Sequence, residues 1–431
     1  MQTRRILLFL TTPLLLAFHA PAQTQEFTVN GLTVLLKPNP ANEIVSAQLY
    51  VRGGARNITE ATQGIEPLIF NTAIKGSKYY SKESIDELLD RTGASINSIS
   101  NRDFSVVSLR CLTTNFGETF DLFADIIINP LFMPDELELV RKNQILAVKQ
   151  QNDNPDAALR LIANALYYKG HQYRMDPAGI EQSLQAINAE QMRQHLSKNL
   201  VTSKLLLVVV GNVPRALLEQ KVQKTFGSLP EGNYTPSLPD RIIHAGASLN
   251  AVGRELPTNY IIGYFSAPRL GDPDHPAAMV ALDILRNRVW EEVRTKRNLS
   301  YAPSAFLEND LVNRAAIYVT AVKPDTTVKV MMAEMKKMQQ EPVSEKDLSD
   351  RVTMFITRYY LNNETNDAQG RFLAYPEIAG IGWKAGDKFV DDIRSVTAKQ
   401  VQDVARKYFG QIQFAVLGNM DLIDEKVFTS M

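Results

Sequence analysis

Apolar positions along the chain change their period several times, and each change marks an element. In FTVNGLTVLLKPN, from Phe27, apolar residues alternate on both sides of Asn30-Gly31, a pair suited to a tight hairpin turn, so two strands are predicted. IVSAQLYVRGG, from Ile44, alternates again and predicts a third strand, and a helical stretch follows it. Phe104 to Leu112 is a further strand-like run. Further on, Pro134 precedes Asp135, Glu136 and Glu138, acids that complement a helix N-terminus, and apolar residues at helical spacing continue to about Gln151. Strands interleaved with helices in this way predict an α/β or α+β chain, and α+β is the class expected here.

One long pattern recurs. INAEQMRQHLSKNLVTSKLLLVVVGNV, from Ile187, resembles VTAKQVQDVARKYFGQIQFAVLGNM, from Val396: a capped helix, a short loop, a strand and a Gly-Asn turn in each. Gly211 and Gly418 lie 207 residues apart, and Leu137 and Leu348, in similar acidic helix starts, lie 211 apart. Offsets so close imply an internal duplication. Between the copies, Ser228 to Asp240 (SLPEGNYTPSLPD) reads as an extended linker, rich in proline. The division expected is therefore residues 23–227, a linker at 228–240, and residues 241–431: two homologous α/β sandwich domains facing each other across a cleft.

Composition narrows the function by exclusion. Lys and Arg number 47 and Asp and Glu number 47, and no long block of like charge builds a basic face, so nucleic acid is not an expected partner. With 45% hydrophobic residues the chain can bury a sizeable core. Cys111 stands alone, which excludes an internal disulfide, and its apolar setting makes it a core thiol rather than a nucleophile. No Gly-x-Ser-x-Gly elbow, phosphate loop or Cys/His cluster appears.

Residues 1–22 follow a separate logic. Arg4 and Arg5 precede an apolar stretch from Ile6 to Phe18, and Ala20-Pro21-Ala22 supplies small residues for cleavage. The stretch falls short of the ~20 residues a spanning helix needs. A secretory signal peptide is expected, and with it a periplasmic protein that has no membrane span in the mature chain.

The duplication, the RGGAR segment after the third strand, GHQY at Gly170 to Tyr173 and the LGNM-type strand endings together resemble the M16 peptidases, the pitrilysin and mitochondrial-processing-peptidase type of zinc enzyme, over the whole mature chain. That resemblance implies a metallohydrolase fold with His-x-x-Glu-His on the first helix and a further glutamate some 75 residues on. Two histidines four apart share a helix face and can ligate one zinc, and the glutamate between them serves as base toward bound water. Here the helix reads GIEPLIFNTAIKGS, and the motif positions fall on Pro67, Phe70 and Asn71, with the distant glutamate position on Val148. None is a usable ligand or base. No metal is expected on this chain, and zinc is expected on a partner subunit.

The same resemblance assigns substrate-binding roles. VRTKRNLSYAPS matches an Arg-x-x-x-x-Leu-x-Tyr stretch that binds the substrate backbone, which places the roles on Arg294 and Tyr301. Both can donate hydrogen bonds to a peptide carbonyl or to an oxyanion. The alternative is that Arg294 pairs with Glu291 or Glu292 and Tyr301 only packs. Gly93 to Leu109 resembles the edge strand to which substrate adds, with Asn97, Ser98 and Ile99 as candidate residues, or else is an ordinary half-buried strand. His171 is read as a loop-ordering hydrogen bonder and His195 as a surface or boundary residue. The expected function is a non-catalytic subunit of a heteromeric zinc peptidase, contributing peptide-binding residues to a zinc-bearing partner. The alternative is a metal-free peptide-binding or scaffold protein of this fold.

Overall fold

The computed structural model describes residues 23–308 and 310–430, so the expected signal peptide lies outside the described residues. The first half runs β1 (Gln25–Val29), β2 (Leu32–Pro38), β3 (Ile44–Arg52), α1 (Ile65–Ala73), α2 (Lys82–Thr92), β4 (Ser95–Ser100), β5 (Phe104–Leu112), α3 (Phe116–Ile128), α4 (Pro134–Asp153), α5 (Pro155–Tyr167), α6 (Glu181–Ala186), α7 (Ala189–Asn199), β6 (Leu205–Gly211) and α8 (Arg215–Lys224). The second runs β7 (Ser248–Gly253), β8 (Asn259–Ser266), α9 (His275–Val289), β9 (Ser304–Glu308), β10 (Arg314–Ala321), α10 (Pro324–Gln340), α11 (Glu345–Asn362), α12 (Asn366–Ile378), α13 (Phe389–Arg394), α14 (Ala398–Tyr408), β11 (Gln413–Gly418) and α15 (Glu425–Thr429). Residues 230–244 carry neither helix nor strand.

Topology displays the duplication. One sheet has the order β1-β2-β6-β3-β5-β4 and the other β7-β11-β8-β10-β9, so the second repeats the first without the initial hairpin strand. In each, a late strand enters parallel to the first repeated one: β6 beside β2, and β11 beside β7. The helices feeding them, α7 and α14, start with the same reciprocal cap, Asn188 with Gln191 and Thr397 with Gln400. Gly211 and Gly418 close the two strands with φ of 148° and 155°, and a side chain at either would collide with the neighbouring strand, at Val45 and Asn259 respectively.

Each sheet is apolar on both faces. In β6 every residue is buried: Leu205, Leu207 and Val209 join one core, while Leu206, Val208 and Val210 join another on the opposite face. The first core is closed by helices of the same half, α1 and α3 among them. The second is closed by the other half, for α12 lays Leu373, Ala374 and Ile378 against Leu35, Tyr50 and Leu206. The exchange is reciprocal: α5 of the first half carries Ala158, Leu159 and Tyr167 to the face of the second sheet formed by Ile262, Tyr264 and Leu417. α5 and α12 occupy equivalent places in the two copies, so each half covers its relative with the same element.

Polar groups fix the register of this exchange. Asp367 on α12 accepts from Ser46 Oγ and from Arg110 Nε at 3.0 Å, and Asn366 Nδ2 donates to the Ile44 carbonyl at 2.6 Å. On the other side, Arg314 Nη1 donates to Asn164 Oδ1 at 2.7 Å and Tyr168 donates to Asp310 at 2.6 Å. Asp103, buried between the halves, accepts from the Tyr173 hydroxyl and from the Leu311 N–H at 3.1 Å. Burial and the nearby Asp310 push its carboxyl up to about 7, against the two hydrogen bonds and the charge of Arg56.

Leu373→Ala opens a cavity on the exchanged face and is expected to cost about 2–5 kcal/mol in urea unfolding. Both halves should lose structure in the same transition, and two separated transitions would contradict the exchange as the source of cohesion. Asp103 binds its proton more tightly folded than unfolded, where its value is about 3.9. Its contribution is therefore fully present below that value and is lost as pH rises through about 7. Asp103→Asn keeps an acceptor and removes the charge, so the variant should gain stability over the parent at pH 8 and the difference should shrink toward pH 4. Parallel curves would acquit Asp103.

Candidate functional site

α1 starts after Gly64, whose φ of 85° turns the chain into the helix, and Ile65, Leu68, Ile69 and Thr72 form its buried face as their spacing requires. Pro67 lies in the first turn, where a missing N–H costs little, and is half-buried. Phe70 points into the core with Ile69 and Phe120, whereas Asn71 faces solvent. Val148 is half-buried on α4, the helix that packs across α1.

Beside these positions stands a polar network that the sequence did not announce. Glu66, one residue before Pro67, is buried, and its Oε1 accepts from Asn57 Nδ2 at 2.9 Å and meets His195 Nε2 at 3.2 Å, while its Oε2 takes the Ser105 hydroxyl. Lys204 Nζ donates to Asn57 Oδ1 at 2.7 Å and to Asn199 Oδ1 at 2.5 Å. Burial pulls the lysine down to about 8, although Glu66 holds it up. His195 is thus a boundary residue whose side chain, 10% exposed, is turned inward to a carboxylate. His171 does order its loop, with Nδ1 accepting the Tyr173 N–H at 3.1 Å. Cys111 is a buried core thiol.

β4 forms the edge of the first sheet and, among the described residues, pairs only with β5, so its outer N–H and C=O groups have no strand partner there. Asn97, Ser98 and Ile99 lie in mid-strand, with Ile99 64% exposed. Ser98 Oγ donates to Asn71 Oδ1 at 2.9 Å, which ties the edge strand to the motif helix.

Arg294 and Tyr301 come together in the other half. α9 runs on into a π-helical turn, Trp290–Thr295, and Asn298, with φ of 50°, reverses the chain. The Arg294 guanidinium sits between two rings, 4.2 Å from the centre of Trp290 and 4.0 Å from that of Tyr301, and donates to the Tyr301 carbonyl at 3.1 Å. Glu292 is occupied elsewhere: Lys296 and Arg297 bond it and hold its carboxyl down at about 2. No ion pair forms between Arg294 and Glu291 or Glu292, and Tyr301 is 77% exposed rather than packed away. Arg294 and Tyr301 share no hydrogen bond or ring contact with Asn71 or Ser98.

Two sequence profiles match the chain. Residues 33–178 match the one described as Insulinase (Peptidase family M16), and residues 186–354 match Peptidase M16 inactive domain. The chain belongs to the M16 peptidase family. It is 23% identical over 409 residues to an uncharacterized zinc protease of Rickettsia felis, covering 91% of this chain and 97% of that protein. With the mitochondrial-processing peptidase subunit beta of Blastocladiella emersonii it shares 19% over 252 residues, 58% of this chain and 54% of that one. Its fold is that of the solved peptidase M16 inactive domain from Pseudomonas fluorescens (TM-score 0.84, 18% identical, 92% of this chain and 98% of that one) and of a protease from Helicobacter pylori (TM-score 0.81, 18% identical, 92% and 99%).

The zinc of M16 enzymes finds no fit at α1. Proline and phenylalanine offer no side-chain lone pair, the Asn71 amide oxygen already accepts from Ser98, and Val148 has no donor atom. Glu66 and His195, the nearest acid and imidazole on these elements, saturate each other with Asn57 and Ser105. Among the described residues no group of three or more His, Cys, Asp and Glu side chains could hold a metal ion. What the motif helix has in place of ligands is packing. Phe70→Ala is accordingly expected to cost about 3–5 kcal/mol in chemical denaturation; a loss below about 1 kcal/mol would show that the ring does not anchor α1.

Proposed function

We propose that this chain is the metal-free subunit of a heteromeric M16 zinc peptidase, working in the periplasm beside a zinc-bearing subunit of the same family. The zinc belongs to the partner, and this chain supplies peptide-binding groups. One observation carries the reading: the Arg294 guanidinium sits between Trp290 and Tyr301 with no carboxylate paired to it among the described residues, while the motif positions of α1 hold Pro67, Phe70 and Asn71. Immobilising an arginine in this way costs rotamer entropy, and a carbonyl-rich ligand offsets that cost. The Tyr301 hydroxyl, on an exposed ring beside it, is a second donor for a peptide carbonyl. The free edge of β4, with Asn97, Ser98 and Ile99, supports binding of an extended peptide as an added strand. No helix among the described residues is long and apolar enough to cross a membrane.

Two measurements test the proposal. Peptide hydrolysis is expected only when the purified mature chain is mixed with the zinc-bearing M16 relative from the same genome, with zinc found only on that relative. Zinc-dependent hydrolysis by this chain alone would refute the assignment, and no gain on mixing together with no complex would favour a scaffold role. In the active mixture, Arg294→Ala and Tyr301→Phe should each lower turnover about tenfold or more while assembly and zinc content stay unchanged. Full turnover in both variants would remove these residues from substrate binding.

A further inference from the structure

Beside Trp290, on which Arg294 stacks, the second half holds a cleft of about 770 Å³. It is bounded by β9 and β10, by α9 with its π-helical turn, by α11, and by the start of α5, the helix that the first half lays across the second sheet. Trp290 and Phe306 give it aromatic surface, and three arginines, Arg160, Arg286 and Arg351, give it charge.

The counter-charges are unevenly shared. Arg160 meets Glu308 at 2.7 Å, and Arg286 pairs with Asp283, which also takes Arg358 at 3.0 Å. Asp156, the one acid lining the cleft, accepts the Tyr318 hydroxyl at 2.5 Å. Arg351 has neither a hydrogen bond nor an ion pair among the described residues, and Asp350 beside it is turned to Lys346 at 2.7 Å. A half-buried guanidinium without a partner, set in an aromatic cleft, matches a carboxylate, which it can bind through two parallel hydrogen bonds.

We propose that this cleft takes a carboxylate of a bound peptide on Arg351, either an acidic side chain or the C-terminal group, with the peptide's apolar body lying on Trp290 and Phe306. The proposal rests on the reading of Arg294 and Tyr301 as peptide-binding groups, because Trp290 is common to both: it lines the cleft and stacks on Arg294 at 4.2 Å. It adds a preference that reading does not contain, for peptides that are negative at one defined position.

The test uses the intact mature chain and four rhodamine-labelled decapeptides, identical except for Glu or Gln at a central position and a free or amidated C-terminus, with binding followed by fluorescence anisotropy. At least one carboxylate-bearing peptide is expected to bind about tenfold or more tightly than the peptide with neither group, the size expected of a charge-assisted contact, and the arm that retains affinity identifies its source. Arg351→Gln should bring the ratio to about one, whereas Lys336→Gln, which removes the same charge from an exposed position on α10, should preserve it. Equal binding of all four by the parent overturns the proposal, as does discrimination that survives Arg351→Gln or falls equally in both variants. Arg294→Ala reports separately on the underlying reading, since it should weaken all four peptides. If it weakens none while discrimination persists, that reading fails and the carboxylate site stands alone. If none of the four binds the parent chain, both fall.

Discussion

A sheet that is apolar on both faces cannot stand with one of them in water, and this constraint organises the molecule. β6 and β11, equivalent interior strands of the two sheets, are buried along their whole length. Helices of the same half close only one face of each sheet, and the second face is closed by α12 in one case and by α5 in the other. Burial of large side chains such as Tyr50, Tyr167 and Tyr264 is worth roughly 1.5–3 kcal/mol apiece, and here it is available only when both halves are folded and correctly placed. The orientation of the halves is thus a packing requirement, and it fixes where Asp156 and Arg160 of α5 meet the strands of the second half.

The two copies diverge where chemistry would sit. Between α1 and β4 the first half inserts α2; at the equivalent point, between α9 and β9, the second half has the π-helical turn and the Asn298 reversal. In the first copy α1 serves packing, with Phe70 in the core and Glu66 bonded to Asn57, His195 and Ser105. The second copy presents charged and aromatic groups outward at the corresponding loop. The Glu66 carboxylate is taken up by three partners, whereas Arg294 makes one side-chain hydrogen bond among the described residues, to the Tyr301 carbonyl, and keeps further donors for a ligand.

Much of the fold was legible because its signals are local. The hairpin at Asn30-Gly31, the strand holding Cys111, the helix from Pro134 and the matching cap, strand and glycine of the two copies all follow from short windows of sequence. Residue type is legible in the same way: Pro67, Phe70 and Val148 carry no ligand atom whatever the fold around them. Helix exchange is not. Periodicity shows that α5 and α12 have apolar faces, but nothing in Leu159 or Leu373 states which sheet that face will meet. The Glu66 and Asp103 networks escaped for the same reason, as their partners His195 and Leu311 lie 129 and 208 positions away. His195 looked like a boundary residue on an amphipathic helix and is one, yet its inward contact depends on a tertiary neighbour. Trp290 carries a local signal, four residues before Arg294, but lies outside the Arg-x-x-x-x-Leu-x-Tyr pattern.

Helix exchange also has a consequence in time. A polypeptide is made in one direction, and about 150 residues separate the end of β6 from the start of α12. At translation rates of about 5–20 residues per second, α12 is made about 8–30 s after β6, so a sheet formed in that interval lacks the helix that covers it. During that interval Leu206, Val208 and Val210 present a continuous sticky surface to whatever surrounds the nascent chain. The duplicated architecture therefore makes the first sheet wait for a segment of the second half, which a pair of self-sufficient domains would not require.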